Sequence, residues 1–289
     1  MKYEPTQKIP NNKKQDAQKI NELKQWLLDN HAEINSGIYT YYSDNDYRGI
    51  ASSLDINKNQ DLLIIPAKTI ISVELARESP TGKQMDRKGL FKKLLSPRQS
   101  FIAAFMLAEE EKGSQSQWKS VIDSFPPHAN DMATFFTEKE LKMLQGSALP
   151  KILYFKKEEL KWDFGLIIGA VPDFESRFSF EKFHYWRSTI MNRTFGGTMN
   201  GQDTTFICPF SHLLNHRNPY DVTYTYNDNS KNFRVTAVTD IPANKEIFTT
   251  YGNKCNTRWL LNYGIIVDNN FEYNEVHFFF EPKNFEYLN

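Results

Sequence analysis

The side chains best suited to bind a ligand lie in the stretch CPFSHLLNHRNPY, residues Cys208 to Tyr220. At its centre an apolar leucine pair is followed at once by Asn215 and His216, two strongly hydrogen-bonding side chains. Buried polar groups must find hydrogen-bond partners. These partners come either from the fold, as in a satisfied polar pair at a β-turn, or from a ligand.

A second candidate is Arg193, at the end of a helix predicted from about Ser179. Phe183, Trp186 and Ile190 mark the buried face of this helix. Arg193 follows three residues later on the same face, and a charge directed inward needs a partner. Its guanidinium either reaches solvent and complements the helix C-terminus or binds an anionic ligand group. The pattern alone favours the first alternative.

Composition excludes several classes of site and partner. Only two cysteines occur, Cys208 and Cys255, and the six histidines show no metal-type spacing, so neither a disulfide framework nor a zinc site is predicted. Lys plus Arg and Asp plus Glu both total 35, which gives no basic excess for nucleic-acid binding. We also predict no secretion signal and no membrane span, and hence a cytoplasmic or nuclear protein.

One local basic stretch departs from this neutral balance. It contains Lys83, Arg87, Lys88, Lys92, Lys93 and Arg98. A solvated face or loop is its simplest interpretation.

The spacing of apolar residues predicts the elements that position these side chains. Residues 1–14 are polar and predicted to form a disordered tail, and a helix containing Ile20, Leu23 and Leu27 follows. Short strands separated by Asn, Asp and Gly clusters come next. From about residue 75 the pattern is helical, until strands return after residue 197, including an alternating strand in NFRVTAVTD.

Two helix starts are predicted inside the helical part. Ser96 followed by Pro97 is typical of an N-cap and a proline at the first helical position. Thr137 and Glu140 have the spacing of a capping box.

A short sequence pattern occurs twice, early and late in the chain. The segments Asp55–Leu62 and Asp240–Ile247 both read Asp-Ile, then Asn, then an acidic and an aliphatic residue. Each predicts a strand, a polar turn and a second strand. Two copies do not make a repeat protein, so we expect the same β-corner to be used twice around a helical insertion.

Several short blocks occur in a characteristic order. They are Tyr47 to Ala51, Asp55 to Pro66, Trp118 to Pro126, Trp186 to Arg193, Asn215–His216, and Thr250 to Gly252 followed by Asn256 and Leu260 to Gly264. In this order they resemble the SET-domain protein methyltransferases, and most closely the branch that includes the Rubisco large-subunit lysine methyltransferase. The resemblance extends from about Trp26 to Asn270.

The resemblance implies an α+β protein with the SET β-clip fold, in which short strands surround a helical insertion. The implied divisions are 15–80 for the N-terminal helix and first SET part, 81–178 for the insertion and 179–268 for the second SET part. Residues 269–289 would begin the C-terminal substrate-binding region. The sequence ends at Asn289, so either the family's helical C-terminal lobe is truncated or absent, or this sequence is incomplete.

The resemblance also implies S-adenosylmethionine (SAM) as the cofactor. Asn215 and the backbone at His216 would bond its amino and adenine groups, and Arg193 would meet its carboxylate, which reverses the preference stated above. The backbone around Gly49 would wrap the other side, where glycine allows close approach, although an ordinary turn would also explain it. The implied cofactor-binding residues are Arg48, Gly49, Ile50, Arg193, His212, Asn215, His216 and Tyr251.

Tyr251 matches the family's active-site tyrosine and is the implied catalytic residue. Tyr263 and Phe195 would line the channel for the substrate side chain. For any one of the 14 tyrosines, core packing with a bonded hydroxyl is the alternative. Two departures from the family pattern are noted: His212 stands where an aspartate is common, and Cys255 replaces the usual serine before Asn256.

The predicted function is SAM-dependent methylation of a lysine side chain in a non-histone protein or peptide. No metal is predicted, because no cysteine-rich segment follows the tyrosine block. A protein histidine methyltransferase is an alternative from the same branch, although an aromatic residue at Phe195 suits a lysine channel better than an imidazole pocket. A non-catalytic module that binds a peptide or SAM is the second alternative. The oligomeric state is not predicted.

Overall fold

The computed structural model describes residues 13–43, 47–127, 129 and 131–275. Most of the predicted disordered tail lies outside these residues, but its last two residues, Lys13 and Lys14, already belong to the first helix. Residues 276–289, the greater part of the predicted C-terminal region, also lie outside them.

The described chain combines helices and short strands, as the α+β prediction requires. The helices are α1 (Lys13–Asp29), α2 (Val73–Glu78), α3 (Pro80–Arg87), α4 (Pro97–Glu111), α5 (Lys119–Asp123), α6 (Glu138–Met143), α7 (Leu149–Ile168), α8 (Phe174–Arg177), α9 (Phe180–Arg193) and α10 (Asn256–Tyr263). The strands are β1 (Glu33–Ile34), β2 (Ile38–Tyr42), β3 (Arg48–Ser52), β4 (Asp61–Pro66), β5 (Ile71–Ser72), β6 (Phe195–Met199), β7 (Gln202–Ile207), β8 (Asn215–His216), β9 (Val222–Asn227), β10 (Asn232–Ala237) and β11 (Lys245–Thr249).

The strands form three small sheets that bring early and late parts of the chain together. Their orders are β1-β4-β10-β9, β2-β3-β11-β8 and β5-β7-β6. In the second sheet β11 pairs antiparallel with β3 and parallel with β8. The chain leaves the strands after β5 and returns at β6, and β5 pairs with β7 through Ile71 and Ile207. Helices α2 to α9 therefore form an insertion whose two ends are held side by side.

The predicted β-corners contact each other directly. Ile56 and Ile241 form an antiparallel bridge. The Asp55 carboxylate accepts the Ala243 N–H at 2.7 Å, and the Asp240 carboxylate accepts the Lys58 N–H at 2.8 Å. The repeated pattern thus produces a reciprocal pair of turns, each of which is closed by the aspartate of the other.

The asparagine at the same place in each copy explains why the pattern recurs. Asn59 and Asn244 have φ angles of 67° and 59°. Asparagine adopts this left-handed conformation more readily than most residues with a side chain. Both turns therefore need the residue that the repeated pattern supplies.

One predicted helix cap is wrong in its chemistry. Helix α4 does begin at Pro97, but the Ser96 hydroxyl donates to Glu159 at 2.5 Å and makes no cap bond. Instead, the buried Asp163 of α7 accepts the N–H groups of Leu95 and Ser96, at 2.8 and 3.2 Å. A carboxylate from another helix therefore binds the donors that precede this helix. The Thr137–Glu140 capping box of α6 is confirmed.

A buried ion pair attaches α1 to β3, one of the two inner strands of the second sheet. Arg48, at the start of β3, donates to Asp16 of α1 at 2.7 Å and to the Ser124 carbonyl at 2.8 Å. Tyr42 donates to the other Asp16 oxygen at 2.9 Å. The Arg48 side chain is 2% exposed, so this cation is fully engaged by the protein.

Candidate active site

A cavity of about 550 Å³ opens where the end of α9 and the start of β6 meet β9 and the segment after β11. Its lining combines a buried guanidinium with aromatic rings and a phenol hydroxyl. The sequence-predicted residues that line it are Arg193, Phe195, His212, Tyr251 and Tyr263. Several elements therefore bring together at this cavity residues that lie far apart in the sequence.

Arg193 carries a buried positive charge at the wall of this cavity. Its Nη1 donates to the His212 carbonyl at 3.3 Å, and its guanidinium lies 5.9 Å from the centre of the Phe125 ring. Its Nε has no hydrogen-bond partner, and no carboxylate within the described residues forms an ion pair with it. Burial, and then repulsion from Arg48, lower the pKa of Arg193 to about 10. Such a site is built for an anion.

Tyr251, also in the lining, is held by one hydrogen bond from its hydroxyl and one from its backbone. Its hydroxyl donates to the Leu214 carbonyl at 2.6 Å, and its N–H donates to His216 Nδ1 at 3.1 Å. Its ring stacks on Tyr263, with the ring centres 4.9 Å apart. Because the single hydroxyl hydrogen is used in this way, the phenol oxygen acts as an acceptor towards further groups.

Aromatic side chains form one wall of the cavity. Phe195, the first residue of β6, packs edge-on against Tyr224 of β9, with ring centres 4.9 Å apart. Both rings also contact the buried Phe233 of β10. Burial raises the pKa of the third lining ring, Tyr263, to about 12, so its hydroxyl stays protonated near neutral pH. This wall suits the apolar stem of a long side chain, and its ring faces suit a cation.

Asn215 lies one layer behind the cavity lining. Its Nδ2 donates to the Arg48 carbonyl at 2.9 Å and to Glu246 Oε1 at 2.7 Å, whereas its buried Oδ1 has no partner. Gly49 makes room for this arrangement, since an added Cβ would lie 2.9 Å from Asn215 Nδ2 and closer still to Glu246. The glycine is therefore required by neighbouring side chains, which is a different reason from the predicted close approach of a ligand.

His212 occupies the cavity wall as a neutral ring. It stacks on Phe125, with ring centres 4.8 Å apart, and its Nε2 lies 3.2 Å from the Ser124 hydroxyl. Burial, and then the neighbouring Arg193, lower its pKa well below the usual value. The preceding Phe210 has a φ of 66°, a strained conformation for a bulky residue, at the turn that presents His212.

His216 and Lys254 support the tyrosine from behind. The His216 ring stacks on Trp259 of α10, with centres 4.5 Å apart. The Lys254 ammonium donates to the Tyr251 carbonyl and lies 5.3 and 5.4 Å from the ring centres of Trp259 and Tyr263. Burial lowers the pKa of His216 to about 4, and Lys254 adds to this effect. His216 is therefore neutral at pH 7, as its acceptor role at Nδ1 requires.

The buried histidines predict a loss of stability in mild acid. Burial lowers the pKa of His184, like that of His216, from 6.5 to about 4. The unfolded chain therefore binds more protons than the folded chain between pH 6.5 and 4, and the free energy of unfolding falls as the pH falls through that window. Urea unfolding at pH 7 and pH 5 measures the difference. His184 lies away from the cavity, and His184→Leu should reduce the difference in the free energy of unfolding between the two pH values. Equal stability of the parent protein at both pH values would contradict the lowered pKa values of these histidines.

The structure separates the predicted site residues into two layers. Five of them line the cavity, whereas Arg48, Gly49, Ile50, Asn215 and His216 lie in strands β3 and β8 behind it. Sequence reasoning missed Tyr224, Thr223, Asn192 and Lys254. For Tyr224 and Thr223 the available signal was the alternating VTYTYN pattern of β9. This pattern predicts a strand but not which of its residues line a cavity.

The chemistry of the lining limits what the site can do. Among residues 13–43, 47–127, 129 and 131–275, no group of three or more His, Cys, Asp or Glu side chains is placed to hold a metal ion. In the same residues, no helix combines the length and the apolar character needed to cross a membrane. The cavity instead combines an anion-binding guanidinium, an acceptor oxygen and a cation-tolerant aromatic wall.

Comparison with solved structures identifies the fold. The structure is similar to the SET domain of LSMT bound to lysine and AdoHcy, with a TM-score of 0.73 and 18% identity, over 87% of this chain and 58% of that one. It is also similar to Rubisco LSMT bound to AdoMet, with a TM-score of 0.72 and 20% identity, over 87% and 57% of the two chains. The predicted α+β SET fold is thereby confirmed.

Sequence comparison gives distant relatives with a different name. The actin-histidine N-methyltransferases of Homo sapiens and Mus musculus are each 22% identical over 259 residues, which cover 86% of this chain and 42% of theirs. The chain thus spans less than half the length of these curated relatives. No family model matches the chain.

Proposed function

We propose that this SET-fold chain transfers a methyl group from SAM to the side-chain nitrogen of a lysine in a non-histone protein. The observation that carries the proposal is one cavity in which a buried guanidinium without a carboxylate partner, Arg193, accompanies the Tyr251 hydroxyl. SAM has a carboxylate that the Arg193 guanidinium can bind, and a polarised methyl group on sulfur that can lie near the Tyr251 hydroxyl. The solved structures with this fold include one bound to AdoMet, which is SAM.

The residues present fit the cofactor, because Arg193 Nε and Asn215 Oδ1 are buried and have no hydrogen-bond partner among the described residues. Arg193 Nε, at the cavity wall, would bind the cofactor's carboxylate, and Asn215 Oδ1, in β8 behind the wall, would accept from a donor group that reaches it. When bound, SAM supplies a methyl group on a positively charged sulfur. The protein's contribution is position and electrostatics, because direct transfer to nitrogen needs no covalent enzyme intermediate.

The protein must also present the acceptor as a neutral amine. A free lysine has a pKa of about 10.4, so removing its proton at pH 7 costs roughly 4.6 kcal/mol. Removal of the acceptor from water inside the cavity disfavours its ammonium form, and the fixed charges of Arg193 and Lys254 add to this effect. The Tyr251 oxygen would then orient the amine towards the methyl group.

Histidine is the second candidate acceptor, because the named sequence relatives are actin-histidine N-methyltransferases. An imidazole presents two ring nitrogens, one of which needs a polar partner while the other reacts. The wall nearest the acceptor position is aromatic at Phe195 and Tyr224, and this favours lysine. A non-catalytic module that binds SAM or a peptide remains the third candidate, favoured by His212 in place of an aspartate.

Cofactor binding is the first test of the proposal. We expect SAM, and its demethylated product AdoHcy, to raise the melting temperature, since a ligand that binds only the folded state stabilises it by mass action. At a hundred times the dissociation constant, the gain is about 2.7 kcal/mol. ATP serves as the control, because it carries adenine but no amino-acid carboxylate. No shift with SAM at millimolar concentration would contradict the proposal.

The acceptor is identified by transfer from labelled SAM into a cell lysate, followed by mass spectrometry of the labelled protein. Label on a lysine nitrogen supports the leading proposal, and label on an imidazole supports the second candidate. Binding of SAM without transfer in lysates of several sources would support the non-catalytic module.

A further inference from the structure

Three large apolar side chains are exposed next to one another on the insertion. Leu95, Phe155 and Trp162 are 62%, 58% and 57% exposed. Phe155 and Trp162 lie seven residues apart on α7, two turns along one face and about 10 Å apart along the axis. Leu95 is joined to the same helix, since its N–H donates to Asp163. We call these three residues the α7 patch.

The basic stretch of the sequence leads into Leu95, the first residue of the α7 patch. Arg87, Lys88, Lys92 and Lys93 are exposed. The other two cations of the stretch have partners, Lys83 with Glu78 and Arg98 with Asp203. In the part of the chain that the structure describes, no ion pair joins the four exposed cations to a carboxylate. We call these four exposed cations the basic flank.

The α7 patch lies along a line that leads away from the cavity. Lys156 and Leu160 of α7 share a small cleft with Met191 of α9 and Asn262 of α10. The next residues, Asn192 and Tyr263, line the main cavity. Farther along α7, Phe164 contacts Phe180 and Phe183 near the start of α9, so the two helices run antiparallel. Helix α7 therefore runs from the small cleft beside the cavity towards the start of α9, with Phe155 and Trp162 on its exposed face.

We propose that the α7 patch and its basic flank bind an acidic, amphipathic helix of a protein partner. The apolar residues of that helix would cover Phe155, Trp162 and Leu95, and its carboxylates would pair with the basic flank. That this partner is also the methylated protein rests on the proposed function. The patch would then act as a docking site separate from the residues that contact the acceptor.

The chemistry of the patch favours a protein helix over an anionic membrane or RNA. Glu158 lies between Phe155 and Trp162 in the sequence of α7 and is exposed, and among the described residues its ion pair is with Lys161, three residues along the helix. A surface of closely spaced phosphates would press negative charge against Glu158. A helix can instead place its carboxylates opposite the lysines and an apolar or neutral residue opposite Glu158.

Fluorescence anisotropy with synthetic helical peptides tests the proposal in the absence of SAM. One labelled peptide is built from Leu, Ala and Glu as an amphipathic helix, and its counterpart has every Glu replaced by Lys. We expect the acidic peptide to bind, with an affinity that falls as salt rises, and the basic peptide not to bind. Trp162→Ala with Phe155→Ala, and separately Lys92→Glu with Lys93→Glu, should each weaken binding about tenfold or more.

The matched control variants are Phe271→Ala and Lys68→Glu, which remove an exposed aromatic ring and an exposed cation elsewhere and should change nothing. Equal binding of both peptides, or no binding of the acidic one, overturns the proposal. Tighter binding to phosphatidylcholine–phosphatidylserine vesicles or to a polyuridine oligonucleotide also overturns it and assigns the patch to that partner. Because no methyl transfer is measured, the outcome is independent of the proposed activity.

Discussion

Tyr251→Phe is expected to reduce methyl transfer about a hundredfold or more while SAM binding stays within a few-fold of the parent protein. The phenol oxygen is the one polar atom of the ring, and in the structure it is fixed by its bond to the Leu214 carbonyl. Removing a preorganised polar group from a reacting centre has this order of effect on the chemical step. Transfer from labelled SAM measures the rate, and calorimetry measures the affinity for SAM.

The control for this change is Tyr263→Phe, whose ring stacks on Tyr251 with centres 4.9 Å apart. It keeps the aromatic wall and removes a different phenol oxygen, so we expect a smaller loss. Tyr251→Phe should also cost about 1 kcal/mol of stability, because one hydrogen bond is lost. Full activity of Tyr251→Phe would show that another group orients the acceptor.

Arg193→Met is expected to stabilise the SAM-free protein and to weaken its binding of SAM. Without SAM it removes a buried cation that has no carboxylate partner among the described residues, so the free energy of unfolding should rise, on the order of 1–3 kcal/mol. With SAM, the anion-binding group is gone, and the affinity should fall about a hundredfold. Urea unfolding and calorimetry measure the two quantities.

Arg187→Met is the matched control on the same helix. Arg187 is equally buried, but it pairs with Glu159 at 3.0 Å and lies outside the main cavity. Its loss removes the cation that lies 4.0 Å from the buried Asp163 carboxylate, whereas Glu159 keeps its ion pair with Lys156. We therefore expect the protein to be destabilised by about 1–3 kcal/mol, with no effect on SAM affinity. If Arg193→Met instead destabilised the SAM-free protein as Arg187→Met does, Arg193 would have a structural role.

Much of the fold was predictable because its signals are local. The periodicity of Ile20, Leu23 and Leu27 predicted α1, and the alternation of Phe233, Val235 and Ala237 predicted β10. The cap of α4 was not predictable, because its acceptor, Asp163, lies 67 residues after Ser96. Only the packing of α7 against α4 brings that carboxylate to the helix start.

The candidate site was predictable in part for the same reason. Arg193 and Tyr251 occur in recognisable blocks, and both line the cavity. Tyr224 belongs to no such block, and it reaches the cavity only because β9 pairs with β10. For Asn215, the fold supplies partners for Nδ2, whereas Oδ1 has no partner among the described residues. Its role in binding a ligand stays a prediction.

The reciprocal turns at Asp55 and Asp240 have a consequence for how this protein can change over evolutionary time. Their contacts fasten together two parts of the chain that lie 182 and 188 residues apart, and β5 and β7 fasten the ends of the insertion. With both ends held, doubling the length of flexible chain between them costs only about 0.6 kcal/mol. We therefore expect helices to be added, deleted or exchanged between β5 and β6, while the two aspartates and the two asparagines of the reciprocal turns resist substitution.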